Sequence, residues 1–161
     1  MGNSGGFIFP DRSACEWFKL QIVGTGDSAS LSQSDTGRVR DPLNENKFVA
    51  NSPSTPWSYY FPSLVVNSRG DLVMGFSGSR ADQRIGVFYT GRLAADAAGS
   101  TRPVILLKAG TACYGDRYWG DYSYTTLDPT GALTFWTIQE YAESLPIPDG
   151  WGTWIGAITP F

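Results

Sequence analysis

Histidine is missing from all 161 residues of the chain. Its absence removes Ser-His-Asp and Cys-His catalysis, imidazole general bases and His-ligated metal sites. Cysteine is scarce. Cys15 and Cys113 are the only two, too few for a zinc site. One disulfide is geometrically open to an exported chain, but two unlinked thiols are expected. Positive charge is also thin: 12 Lys and Arg stand against 15 Asp and Glu, with no basic run and a net charge of −3. Nucleic-acid binding needs a basic face to neutralise phosphate, so no nucleic-acid partner is expected. No apolar run approaches the ~20 residues that span a bilayer, so no membrane partner is expected either. Asp11, Asp27, Asp35 and Asp41 are too scattered for a calcium loop, and no glycine loop leads into a helix to cradle phosphate. No metal and no cofactor is expected.

The amino end adds further absences. Residues 1–6 are rich in Gly and Ser and are not followed by the basic and apolar segments of a secretory signal. Gly2 follows Met1 as in myristoylation signals, but Gly6 stands where Ser or Thr is wanted. No Asn-x-Ser/Thr glycosylation acceptor occurs.

What is abundant is aromatic rings, at 14% of residues, together with 19 Gly and 10 Pro. That mixture favours strands joined by tight turns. Short strand-like runs fall at 17–23, 63–67, 72–77, 85–91, 104–109, 122–128, 133–141 and 154–159, with a weak one inside 28–34. No helical period competes. Residues 93–99 (LAADAAG) fit one helical turn or an Ala-rich loop. Between 67 and 71 the sequence NSRGD supplies a glycine able to take positive φ, which reads as a hairpin. At 128–131, DPTG reads the same way, with Pro at the second turn position and Gly after it. The polar stretch 24–58 reads as a long connection between two sheets, and 143–150 as an irregular loop.

The segments 61–91 and 119–158 repeat one order: aromatic, strand, Gly-containing turn, strand, loop, strand. The repeat is roughly 40–50 residues long, the length of a propeller blade. The fold class expected is therefore all-β, built of antiparallel meander blades, with a β-sandwich as the competitor.

More specific motifs follow in one order: YYFPSLVVNSRGDLVMGFS at 59–77, WGDYSYTTLDP at 119–129, TFWTIQEYA at 134–142 and GWGTWIG at 150–156. Together they resemble the C-terminal blades of a bacterial family of sialidase-like (BNR-type) β-propeller proteins whose biochemical role is generally unassigned. The resemblance covers 58–161 and extends to an outer strand of the preceding blade at 17–23. It implies a partial propeller of about 2.5 blades. Residues 1–57 would be a partial blade and connection, 58–110 a blade and 111–161 the terminal blade, within a single domain. Relatives are longer and secreted or on the cell surface. They tend to carry Arg directly before Trp, where this chain inserts Tyr118 between Arg117 and Trp119. DPTGALTFW is a degenerate form of the Asp-box turn, a folding element whose Asp accepts backbone N–H bonds.

The resemblance directs attention to sugar chemistry. Sialidases clamp a substrate carboxylate with arginines, and glycosidases need paired carboxylates or a Tyr nucleophile. Arg92, Arg117, Asp121, Tyr122, Glu140 and Tyr141 have suitable chemistry, yet two or three blades supply no full catalytic set, and no catalytic residue is assigned. In WGDYS, Trp119 and Tyr122 would form a platform for apolar sugar faces while Asp121 accepts hydroxyls. The structural alternative has Gly120 bending the chain, Asp121 capping backbone N–H groups and the rings packing on a neighbouring blade. Trp57, Tyr59 and Tyr60 would line a groove or cover a seam. Phe135 and Trp136 would be core on alternating faces. Glu140 would be a carboxylate at a channel mouth or a solvated strand end. The expected function is a non-catalytic binding module, with carbohydrate as ligand. A glycosidase remnant or subunit and a purely structural fragment are the alternatives. Missing blades leave apolar faces bare, so a homo-oligomer, a dimer completing the propeller, is expected. The competing solution folds the N-terminal strands back over the open face.

Overall fold

A computed structural model describes residues 12–42, 56–147 and 149–159. Within them the chain is all-β. The strands are β1 (Cys15–Val23), β2 (Ser30–Val39), β3 (Ser58–Val66), β4 (Leu72–Arg80), β5 (Gln83–Arg92), β6 (Ile105–Lys108), β7 (Tyr124–Asp128), β8 (Gly131–Ala142) and β9 (Trp151–Ile158). Each pairs antiparallel with the next inside one of three sheets: β1-β2, β3-β4-β5-β6 and β7-β8-β9. The sheets are meanders that follow one another in chain order.

Strand β4 shows how they stack. Its side chains alternate between two faces, and every residue from 72 to 78 is buried. Leu72, Met74 and Phe76 pack with Cys15, Trp17 and Val39 of the first sheet and with Tyr59 and Phe88 of their own. Val73, on the opposite face, meets Phe135 and Ile158 of the third sheet. The middle sheet is thus covered on both sides. Farther along the second seam the contacts turn polar: the hydroxyls of Ser63 and Thr125 lie 2.8 Å apart, and Gln139 donates to Ser63 (2.9 Å) and Thr137 (2.9 Å). Every one of these polar groups finds a partner, as burial requires.

The hairpin expected at 67–71 is present. Asn67 Oδ1 accepts the amides of Arg69 (3.0 Å) and Asp71 (2.9 Å), and Gly70 sits at φ +86°. At 128–131 the organising group is the aspartate rather than a positive-φ glycine. Asp128 Oδ1 accepts the Thr130 amide (2.7 Å) and hydroxyl (2.6 Å), and Oδ2 accepts the Trp136 indole N–H (2.9 Å). These bonds hold the Asp128 carboxyl down at about 2, the Thr130 hydroxyl contributing most. A depressed folded value means the stabilisation is present above the ordinary carboxylate range near pH ~4 and is lost as pH falls through about 2. Asp128→Asn is expected to lower the urea midpoint at pH 6, and the gap to wild type should close between pH 4 and 2. A gap independent of pH would show that the charge is not the cause.

Three expectations need correction. The connection read at 24–58, with only a weak strand inside 28–34, contains a complete strand there, Ser30–Val39, hydrogen-bonded to β1 along its length. Its sequence, SLSQSDTGRV, has no apolar alternation. The pairing is supported instead by backbone bonds and by hydroxyls such as Thr36 Oγ1 on the Trp17 carbonyl (2.7 Å). The remainder of that connection, 43–55, lies outside the described residues. Second, β3 begins at Ser58 and runs through Pro62 because it is an edge strand carrying a bulge between Tyr60 and Ser63, where the ladder does not need the missing N–H. Third, Tyr122 and Ser123 precede β7 and belong to a loop. Residues 93–99 form turns, with Asp96 accepting the Leu93 amide at 2.9 Å.

Both cysteines are free. Cys15 is buried, which pushes its thiol up to about 12, whereas Cys113 is exposed. Since the thiolate is the reactive form, a disulfide-exchange reagent should titrate one thiol in native protein and two in denaturant. Two fast native thiols would mean that Cys15 is open to solvent.

Candidate functional site

The polar end of the third sheet holds the densest group of the residues singled out from sequence. The chain leaves β6 at Lys108 and reaches β7 only at Tyr124. In between it folds back over the end of β8: the Thr111 amide donates to the Ala142 carbonyl (2.8 Å) and the Gly115 amide to Asp149 Oδ1 (2.6 Å). The decisive anchor is Glu140. It is buried, and its two carboxylate oxygens accept the amides of Gly120 (2.8 Å) and Tyr122 (3.0 Å). A solvated strand end therefore does not describe it. Gly120 is at φ +97°, and a Cβ there would fall on the Phe61 ring, so the bend needs glycine. On the structural alternative Asp121 would cap the amides of this bend. Glu140 does so instead, while Asp121 stays exposed.

The bend presents two aromatic pairs. Tyr114 meets Trp119 edge-on at 4.7 Å, and the Trp119 indole N–H donates to Ser77 Oγ at 3.2 Å. Tyr122 lies over Trp151 at 5.2 Å with the planes 14° apart. Trp119 is therefore half-buried and tied to the middle sheet, whereas Tyr122 and Trp151 keep about half their surface free (54% and 42%). These rings, with Tyr118, Asp116, Asp121 and Glu140, enclose a pocket of about 180 Å³. Among the described residues no Lys or Arg lines it. The Tyr114 hydroxyl is pushed up, first by burial and then by the charges of Asp116, Asp149, Glu140 and Asp121.

The other residues singled out lie elsewhere. Tyr59 is core, edge-on to Phe76 (5.0 Å) and Phe88 (5.5 Å), and burial pushes its hydroxyl up to about 12. It faces no cleft shared with Trp119 and Tyr122. It lines a separate 680 Å³ cavity together with Pro42 and Trp57. Tyr60 is half-buried and donates to Ser79 Oγ at 2.9 Å. Arg92 joins the first two sheets: it pairs with Asp35 (3.3 Å) and lies over the Trp17 ring (5.6 Å). Arg117 is on the exposed loop, its amide on Asp116. The two arginines do not converge. Phe135 is core, but Trp136 points outward and is 38% exposed.

Sequence reasoning missed Trp151 and Tyr114. Trp151 stands one residue after Gly150 in a motif that signals a strand start, and nothing local shows that β9 places it beside Tyr122. Compared with known proteins, the chain matches no family model, no curated protein and no solved structure.

The two ends of the stack are apolar. In β1 the buried Cys15 and Trp17 alternate with Phe18, Leu20 and Ile22, which are exposed, and Leu31 of β2 sits opposite Ile22. On the third sheet Tyr124, Ile138 and Ile155 form one row across β7, β8 and β9, with Trp136 on the neighbouring row. The N-terminal hairpin does cover one face of the middle sheet, yet it exposes a new apolar face of its own.

Proposed function

We propose that this chain is a non-catalytic binding module for carbohydrate, with its ligand held at the pocket beside the ends of β8 and β9. The observation that carries the reading is the Tyr122–Trp151 pair, stacked at 5.2 Å and half open to solvent next to the free carboxylate of Asp121. Flat ring faces suit the apolar C–H faces of a sugar, and a carboxylate accepts its hydroxyls. Glu140, held by two amides, fixes the loop that shapes the pocket. A glycosidase remnant has less support, because Arg92 is engaged by Asp35 and Trp17 and does not line this pocket.

Three meanders stacked in chain order also favour blades of a partial, sialidase-like propeller. The exposed faces at both ends of the stack are the surfaces an open ring would leave bare. A second copy is the proposed cover: two chains of three sheets each fall within the 4–8 blades of closed propellers.

Two measurements test the proposal. A glycan array should give binders whose affinity drops about 10-fold or more in Trp151→Ala and Tyr122→Ala, the loss of one stacking and desolvated contact. An array without binders removes the carbohydrate reading. Sedimentation at micromolar concentration should show a dimer, and monomer alone would remove the self-completed ring.

A further inference from the structure

We infer that the pocket at the ends of β8 and β9 recognises a positively charged ammonium group, and so selects amine-bearing sugars over neutral ones and rejects acidic ones. The inference rests on the binding role proposed for this pocket, and it runs against the carboxylate-clamping chemistry that a sialidase-like resemblance implies.

The lining has one sign of charge. Asp116, Asp121 and Glu140 contribute carboxylates, and no basic side chain among the described residues lines the pocket beside them. Their states differ. Glu140 is partly compensated by two amide N–H groups, and Asp116 accepts the Arg117 amide. Asp121 is exposed at the rim and accepts no hydrogen bond among the described residues. It is the carboxylate left to meet a ligand. The walls reinforce it, because Tyr114, Trp119, Tyr122 and Trp151 are aromatic and the faces of such rings are electronegative. Aromatic walls beside a carboxylate are the kind of environment that binds ammonium groups by cation–π attraction, and the outer faces of the stacked Tyr122 and Trp151 rings are the ones open to it. Burial contributes most to the rise of the Tyr114 hydroxyl, and the charges of Asp116, Asp149, Glu140 and Asp121 add to it. A volume of about 180 Å³ is below that of drug-sized pockets and suits one charged head or one sugar ring. An anionic sugar placed there would sit among like charges, with no arginine of the described residues in the lining to offset them.

The experiment measures binding of four probes to the whole chain by calorimetry at pH 6, where a sugar amine is charged. The probes are a glucosamine trimer, its N-acetylated counterpart, sialyllactose and tetramethylammonium. The amine trimer should bind about 10-fold tighter than the acetylated one, tetramethylammonium should compete with it, and sialyllactose should not bind. Raising salt should shrink the preference. Asp121→Asn, an exposed change expected to leave the melting temperature unaltered, should reduce the preference several-fold. Equal or better binding of the acetylated trimer, or preference for sialyllactose, overturns the charge selection and leaves the carbohydrate role standing. Binding of tetramethylammonium without any sugar supports the charge selection and removes the carbohydrate role. No binding of any probe removes both.

Discussion

Replacing Phe76 by alanine is expected to lower the unfolding free energy by about 3–5 kcal/mol. The side chain is fully buried in the central strand of the middle sheet. It packs edge-on against Tyr59 at 5.0 Å and parallel to Phe88 at 6.2 Å, with the first sheet completing its surroundings. Truncation removes the transfer free energy of the ring and leaves a cavity. The site has little freedom to collapse, because β4 is hydrogen-bonded on both sides and covered on both faces. Stability of a domain this size is about 5–15 kcal/mol, so a large share of it would be lost. The urea midpoint should fall with the slope unchanged. Tyr118→Ala, at a ring 76% exposed, should stay within about 0.5 kcal/mol and serves as the control. A Phe76→Ala midpoint equal to that of the control would mean that the first seam is not packed as described.

Glu140→Ala should be the next most damaging change, at about 2–4 kcal/mol. A hydrogen bond to a charged group is worth roughly 1.5–3 kcal/mol, and an amide left unpaired costs about 1–3 kcal/mol. Two amides, of Gly120 and Tyr122, lose their acceptor together. The total is moderated because both amides lie in a loop that water can reach once it loosens. Loosening should show as loss of the near-ultraviolet dichroism from the Tyr114–Trp119 pair, and as loss of ligand binding because Tyr122 is no longer held over Trp151. Glu140→Gln keeps one acceptor oxygen and should fall between wild type and alanine. If Glu140 served chemistry in the pocket and not the loop, the alanine variant would keep full stability. That result would remove the anchoring role.

The two variants mark different kinds of legibility. Phe76 lies in an alternating run ended by a recognisable turn, so its strand is apparent from residues within a few positions. Glu140 also lies in a recognisable strand, but its burial depends on the loop between β6 and β7 folding over it. Its sequence neighbours give no sign of that. For Tyr59 the sequence leaves a groove and a seam open, and only the stacking of the first sheet on the middle one places it in the buried seam between them. Arg92 was read as a candidate ligand clamp and is a tie between sheets, because Asp35 comes from a strand whose polar sequence concealed it.

By itself the sequence determined the all-β class, most strand positions, the 67–71 turn and the aspartate-centred turn at 128. These follow from two-residue alternation and from the backbone and side-chain chemistry of Asn, Asp, Pro and Gly, which act within a few residues. Only the tertiary structure decided which strand faces are covered, which carboxylate is buried and which rings share a pocket. Those depend on contacts between sheets, and residues far apart in sequence meet there according to how the layers stack.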